Sequence, residues 1–392
     1  MTTKLVVPAG QAFTLSSGPS GASPETLAAL GSPILYHYDP AFLETYAETL
    51  ELLRRAFVTE SKPVILHGEA VLGLEAGIAS LIRSDDVVLN LVSGVYGSGT
   101  GWWLRRYTDR VIEVEVPYNT AVSAGMVEHA LEENPDVTVV AAVHCETPSG
   151  TVNPIAEIGP VVDRHGALFF VDAVSSWGGM PVDLDQWKAD FVVVGTQKCL
   201  GGPTALSLIH VSDEAWSHIG ANEAAPKASM LSVLDWRDAD GVVRPFPFTP
   251  SISDIYGLRA CLEQYLREGA EAVQARHAVV AEATRAGVEA LGLSLWAEDR
   301  SVCSNTVTAV AVPAGVDDAA VRKAARFDSG VMLSEGEGSL IGKVICIGHM
   351  GPSAYPMTPV LAVSGLGRAL RSSGYKADIG AAVEAAVSVL DG

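Results

Sequence analysis

The feature that most constrains this chain is an alternation. Six short apolar runs, at residues 64–67, 87–92, 110–116, 137–144, 167–171 and 191–194, are separated by stretches with helical spacing such as 72–82, 121–132 and 155–165. Apolar runs this continuous are strands buried on both faces, and strand–helix alternation makes a mostly parallel sheet covered by helices on each side. Ligands in such sheets bind beyond the carboxyl ends of the strands. The expected fold class is therefore α/β.

Beyond residue 225 the pattern changes. A loop-rich stretch, 226–249, precedes a long helical pattern over 252–291, with Gly257 and Gly269 as candidate breaks. Strands are then expected near 306–312 and 344–349, and helices near 317–326 and 359–373, which describes a smaller α+β lobe. With 392 residues, 48% of them hydrophobic, the chain has material for two lobes. The expected division is a segment at 1–20 packing on the small lobe, a large lobe at 21–260 and a small lobe at 261–392.

Several function classes are disfavoured. A formal net charge of −20 repels phosphate backbones, so no nucleic-acid partner is expected. No apolar run is long enough to span a membrane, and residues 1–13 show no signal-peptide pattern. Five cysteines without CxxC spacing fit reduced thiols in a cytoplasm and no structural metal site.

Two residues carry chemistry. Lys198 lies in Gly195-Thr196-Gln197-Lys198-Cys199-Leu200-Gly201-Gly202, a glycine-bracketed turn after a buried strand. Desolvation there lowers an amine's pKa and makes it a nucleophile; the alternative is an ordinary surface-loop lysine. Asp172 ends the apolar run Phe169-Phe170-Val171-Asp172. Its alternative role is a helix N-cap. A buried carboxylate otherwise needs a cation, and a protonated ring nitrogen of a cofactor is one. With a lysine on the next strand, the cofactor reading prevails.

Asp172-Ala173-Val174-Ser175-Ser176 followed by Gln197-Lys198-Cys199-Leu200-Gly201 resembles the class V aminotransferases, pyridoxal-phosphate enzymes of fold type I. That family has a large domain with a mostly parallel, seven-stranded-type sheet and a smaller α+β C-terminal domain. The segments Leu66-His67-Gly68-Glu69-Ala70, Ser93-Gly94-Val95-Tyr96-Gly97, Thr147-Pro148-Ser149-Gly150 and Ile347-Gly348-His349 resemble its pyridoxamine–pyruvate branch. The resemblance implies pyridoxal 5′-phosphate as cofactor, Lys198 as Schiff-base lysine and proton shuttle, and Asp172 as partner of the ring nitrogen. Val174 and Tyr96 would flank the ring, although Tyr96 has core packing as its plainer role. Thr147 would bond near the ring hydroxyl. Gly68-Glu69-Ala70 and Gln197 would hold the phosphate, with Thr249 reaching it from a neighbouring subunit. A homo-oligomer, dimer or tetramer, with shared sites is thus implied, acting on a small-molecule amino substrate.

Two departures stand out. Glu69 puts a carboxylate close to the expected phosphate. Glu337 and Cys346 stand where the branch carries arginines that clamp a substrate carboxylate; a misaligned loop is the alternative for Glu337. Losing that clamp points first to a lyase or deaminase acting on an S-cysteinyl conjugate, as in lincosamide antibiotic biosynthesis. The alternative is an aminotransferase similar to the pyridoxamine–pyruvate enzymes.

Overall fold

A computed structural model describes residues 12–392. Residues 1–11, more than half of the expected N-terminal segment, lie outside the described part.

The six expected strands form, and a seventh joins them. Across the sheet the order is Val64–Leu66, Ser207–Val211, Phe191–Gly195, Leu168–Asp172, Val139–Val143, Val88–Val92 and Val111–Glu115. Ser207–Val211 is antiparallel to both its neighbours, and the other pairs are parallel. Six carboxyl ends therefore lie on one edge. Register aligns Asp172 with Val143 on one side and Val193 on the other. Helices such as Ala70–Leu81 and Ile155–His165 cover the faces. The helix Ala70–Leu81 comes close to the sheet through two glycines: a Cβ on Gly77 would meet the Phe191 ring at 2.4 Å, and one on Gly73 would meet Ser207 at 2.7 Å.

One hydrophobic cluster runs from Phe42 to Val273 around this sheet. A second joins Leu15 to residues of 288–382, including Val310, Ile345 and Leu366. It packs on the antiparallel strands Val307–Ala311, Val344–Gly348 and Ser334–Glu335. The helix Ala270–Ala290 contributes Val273 to the first cluster and Val288 to the second, so it bridges both cores. The strand Phe13–Thr14 pairs in parallel with Val331–Met332.

The expected helix over 252–291 is two helices, Ile252–Glu268 and Ala270–Ala290, parted by Gly269 at φ +90°. Gly257 does not break the first. It lets the Leu30 side chain approach, since a Cβ there would meet it at 2.7 Å.

Candidate active site

Five strands send their following residues to the same edge. Glu69 follows Val64–Leu66, Tyr96 follows Val88–Val92, Thr147 follows Val139–Val143, Asp172 ends its own strand, and Lys198 follows Phe191–Gly195. Between them lies a cavity of about 320 Å³ whose walls include Asp172, Val174, Lys198, Tyr96, Trp103 and Glu337.

The turn that presents Lys198 is closed on itself. The Gly202 N–H donates to the Thr196 carbonyl at 2.8 Å, and the Gly201 N–H donates to the Lys198 carbonyl at 3.0 Å. Gly201 takes φ +62°, and a Cβ on it would strike Pro352 at 2.4 Å, so glycine is required. The Ser20 hydroxyl donates to the Lys198 carbonyl at 2.6 Å. Lys198 Nζ donates to the Ser17 carbonyl at 3.0 Å, and Gly18 lies against it: a Cβ there would come within 2.1 Å of Nζ. Burial lowers the Lys198 pKa, while the charges of Glu69 and then Asp172 work against that shift.

Asp172 is buried, and its Oδ1 accepts the Val174 N–H at 2.8 Å. Burial pushes its carboxyl up to about 6, although the Val174 N–H and the Lys198 charge pull the other way. Tyr96 donates its hydroxyl to Glu337 Oε1 at 3.1 Å and accepts from Thr147 Oγ1 at 3.5 Å. Burial first, then the Glu337 charge, raises the phenol's pKa.

Glu69 caps the helix Ala70–Leu81. Its Oε2 accepts the Val71 N–H at 2.8 Å, and its Oε1 accepts from Gln197 Nε2. The turn also uses its own donors: Gly68 N–H goes to Leu66 and Leu72 N–H to the Glu69 carbonyl. The helix N-terminus expected to hold a phosphate thus already has an anion on it. Gln197 Oε1 is buried with no partner among the described residues.

Five expected residues are not among the cavity walls: Gly68, Thr147 and Gln197 adjoin the wall residues Glu69 and Tyr96, and Cys346 and Thr249 lie elsewhere. Cys346 is fully buried in the strand Val344–Gly348, with Sγ toward the carbonyls of Pro148 at 3.4 Å and Thr147 at 3.7 Å. It packs behind Thr147 and is not among the cavity walls, because strand alternation turns it away. Thr249 is exposed and also outside those walls. Sequence reasoning missed Glu146. It is buried, and it accepts the N–H groups of Tyr96 at 3.0 Å and Gly97 at 2.7 Å, which fixes the start of the helix Val95–Leu104. Burial pushes it up to about 7. The available signal was an acidic residue two positions beyond a buried strand, next to Thr147.

A half-buried lysine and a buried aspartate lining one cavity at the carboxyl edge of the parallel strands can be set beside known proteins. The aminotransferase class-V profile matches residues 105–373. The chain belongs to the class V aminotransferases. The pyridoxamine–pyruvate transaminase of Mesorhizobium japonicum is 52% identical over 379 residues, covering 97% of this chain and 96% of that protein. The crystal structure of pyridoxamine–pyruvate aminotransferase from Mesorhizobium loti superposes with a TM-score of 0.95 at 50% identity, over 99% of both chains. That of the Bacillus subtilis ureidoglycine–glyoxylate aminotransferase gives 0.93 at 30% identity, over the full length of both. The fold is that of the fold type I pyridoxal-phosphate enzymes.

Class V aminotransferases use pyridoxal 5′-phosphate. The residues present fit its ring: an acid for the ring nitrogen, an amine for the aldehyde, and Tyr96 and Val174 as apolar walls. At the phosphate end the fit requires Glu69, whose side chain is exposed, to turn away from a dianion. The expected cysteinyl-conjugate chemistry draws no support from the relatives described above.

Proposed function

We propose that this chain is an aminotransferase of the pyridoxamine–pyruvate kind, exchanging an amino group between the exocyclic carbon of a vitamin B6 ring and an oxo compound. The observation that carries this reading is the Glu69 carboxylate, held by the Val71 N–H and the Gln197 amide at the helix N-terminus. A fixed anion there favours a neutral hydroxymethyl group over a phosphate, so the unphosphorylated ring is accepted alongside the cofactor.

Bound there, the cofactor supplies an aldehyde carbon that exchanges nitrogen and a ring that accepts an electron pair. The protein's part is positioning and proton transfer. Asp172, buried at the cavity wall, would hold a proton on the ring nitrogen. Tyr96 and Val174, both cavity walls, would confine the ring. Lys198, whose pKa burial lowers, would take the proton from the nitrogen-bearing carbon and return it. Thr249 is exposed on its own chain, consistent with service to a neighbouring subunit's site and hence with a homo-oligomer.

The test is equilibrium titration of the apo-protein with pyridoxal and with its phosphate. Pyridoxal is expected to bind within about tenfold of the phosphate, and Glu69→Ser to widen the gap by about tenfold in favour of the phosphate. A thousandfold preference for the phosphate, untouched by Glu69→Ser, would remove this reading.

A further inference from the structure

We propose that the cavity selects an amino partner carrying a second positive charge and no carboxylate, and that Glu337 makes the selection. This rests on the aminotransferase reading above, but not on whether the ring carries a phosphate.

Among the described residues, three carboxylates, Glu69, Asp172 and Glu337, line the cavity against one cation, Lys198. Lys198 is already committed, with Nζ on the Ser17 carbonyl and its charge facing Glu69 and Asp172. No arginine is among the walls that the described residues form. The guanidinium groups on adjoining elements are paired: Arg105 with Glu113 at 3.0 Å, Arg106 with Glu75 at 3.2 Å, and Arg322 with Asp318 at 3.0 Å and Glu335 at 2.7 Å. A carboxylate entering here meets like charge with no guanidinium to receive it.

A cation meets the reverse. Glu337 Oε1 takes one hydrogen bond, from Tyr96, and a carboxylate has room for about four. Trp102 and Trp103 line the same cavity, with Trp102 73% exposed, and indole faces attract ammonium groups. A cavity of about 320 Å³ has room for a short amine beside the ring. The exchange balances without a further reactant: R–CH2–NH2 and the ring aldehyde become R–CHO and the ring aminomethyl. The proton leaving the amine carbon passes through Lys198 Nζ to the ring's exocyclic carbon. The far ammonium remains on Glu337 throughout.

Two measurements on the cofactor-loaded enzyme test this. The first compares amination of the ring by 1,4-diaminobutane, butylamine and L-alanine. The second follows tryptophan fluorescence during titration with tetramethylammonium, which has no nitrogen to transfer. The diamine is expected to exceed butylamine in kcat/KM by about fivefold or more, with L-alanine below it. Glu337→Gln should erase that gap and weaken tetramethylammonium about fivefold, and Glu337→Asp should restore part of both. L-Alanine matching the diamine, a diamine preference that survives Glu337→Gln, or tetramethylammonium binding indifferent to residue 337 would each overturn the proposal. If no amine transfers nitrogen, the aminotransferase reading fails and the tetramethylammonium titration still judges Glu337.

Discussion

Asp172 and Asp190 sit at opposite edges of one sheet and show what separates a site from a scaffold. Both carboxyls are pushed upward by burial. Asp190 precedes its strand, and the fold closes it: Oδ2 accepts the Phe169 N–H at 2.9 Å and Oδ1 the Ser212 hydroxyl at 2.6 Å. Asp172 ends its strand, takes the Val174 N–H and lines a cavity shared with an amine. The Asp190 edge even borders the roomier hollow, an open groove of about 880 Å³ that includes Arg54, Asp190 and Glu214. Volume and burial are therefore common to both edges. What differs is hydrogen-bonding capacity left for a ligand, next to a desolvated lysine.

The largest effect expected at the ligand edge is from Lys198→Ala. Turnover should fall at least about a thousandfold, from loss of both the nucleophile and the proton carrier. In the wild type, borohydride reduction of the cofactor-loaded protein followed by peptide mapping should put the pyridoxyl mass on Lys198; mass on another lysine defeats the assignment. Asp172→Asn should follow, with kcat lower by on the order of a hundredfold, about 2.7 kcal/mol. The matching change at the other edge, Asp190→Asn, should leave kcat unchanged and cost about 1–3 kcal/mol of unfolding free energy. If Asp190→Asn cut kcat as deeply as Asp172→Asn, the distinction between the edges would collapse.

A smaller, pH-dependent effect sharpens the comparison. Asp172 is raised from 3.8 to about 6 and Glu146 from 4.5 to about 7. A folded-state pKa above the unfolded one favours the protonated folded form, so this share of stability is complete below pH 4 and is lost as pH rises through 6 and 7. Chemical denaturation of the apo-protein between pH 4 and 8 should show a loss on the order of 1–3 kcal/mol from Asp172. Asp172→Asn should remove that share, and cofactor loading should flatten it by giving the carboxylate a cation. A slope unchanged in Asp172→Asn would mean its carboxylate is better solvated than its burial suggests.

Much of the seven-stranded sheet was legible because its information is local. Apolar runs mark strands wherever both faces are buried, and Asp172 and Lys198 each interrupt or follow such a run. The helix Val95–Leu104 was not legible, for two reasons. Gly97, Gly99 and Gly101 dilute its helical propensity, and its N-terminus is satisfied by Glu146 from 50 residues away. Gly97 is there because a Cβ would meet the Leu91 carbonyl at 2.8 Å, a constraint the sequence does not display. The seventh strand, Ser207–Val211, went unread because it follows a turn with no intervening helix, and its antiparallel direction breaks the alternation. The position of Cys346 was read from its frame in the chain, which fixes order along a strand but not the face a side chain takes.

The hydrogen bonds that meet around the cavity begin at Ser17 and end at Glu337, and between them lie most of the chain, the whole of the first hydrophobic core and part of the second. Contacts so distant in sequence form late, since the intervening loops must close first. A ligand here finds no partner in a half-made chain, and its binding energy falls on the finished fold as a whole. Occupancy of the cavity thus acts as a certificate of completion: supplied during expression, the ligand draws the folding equilibrium toward intact molecules, and a nick anywhere between residues 17 and 337 that lets the cut pieces part erases binding together with activity.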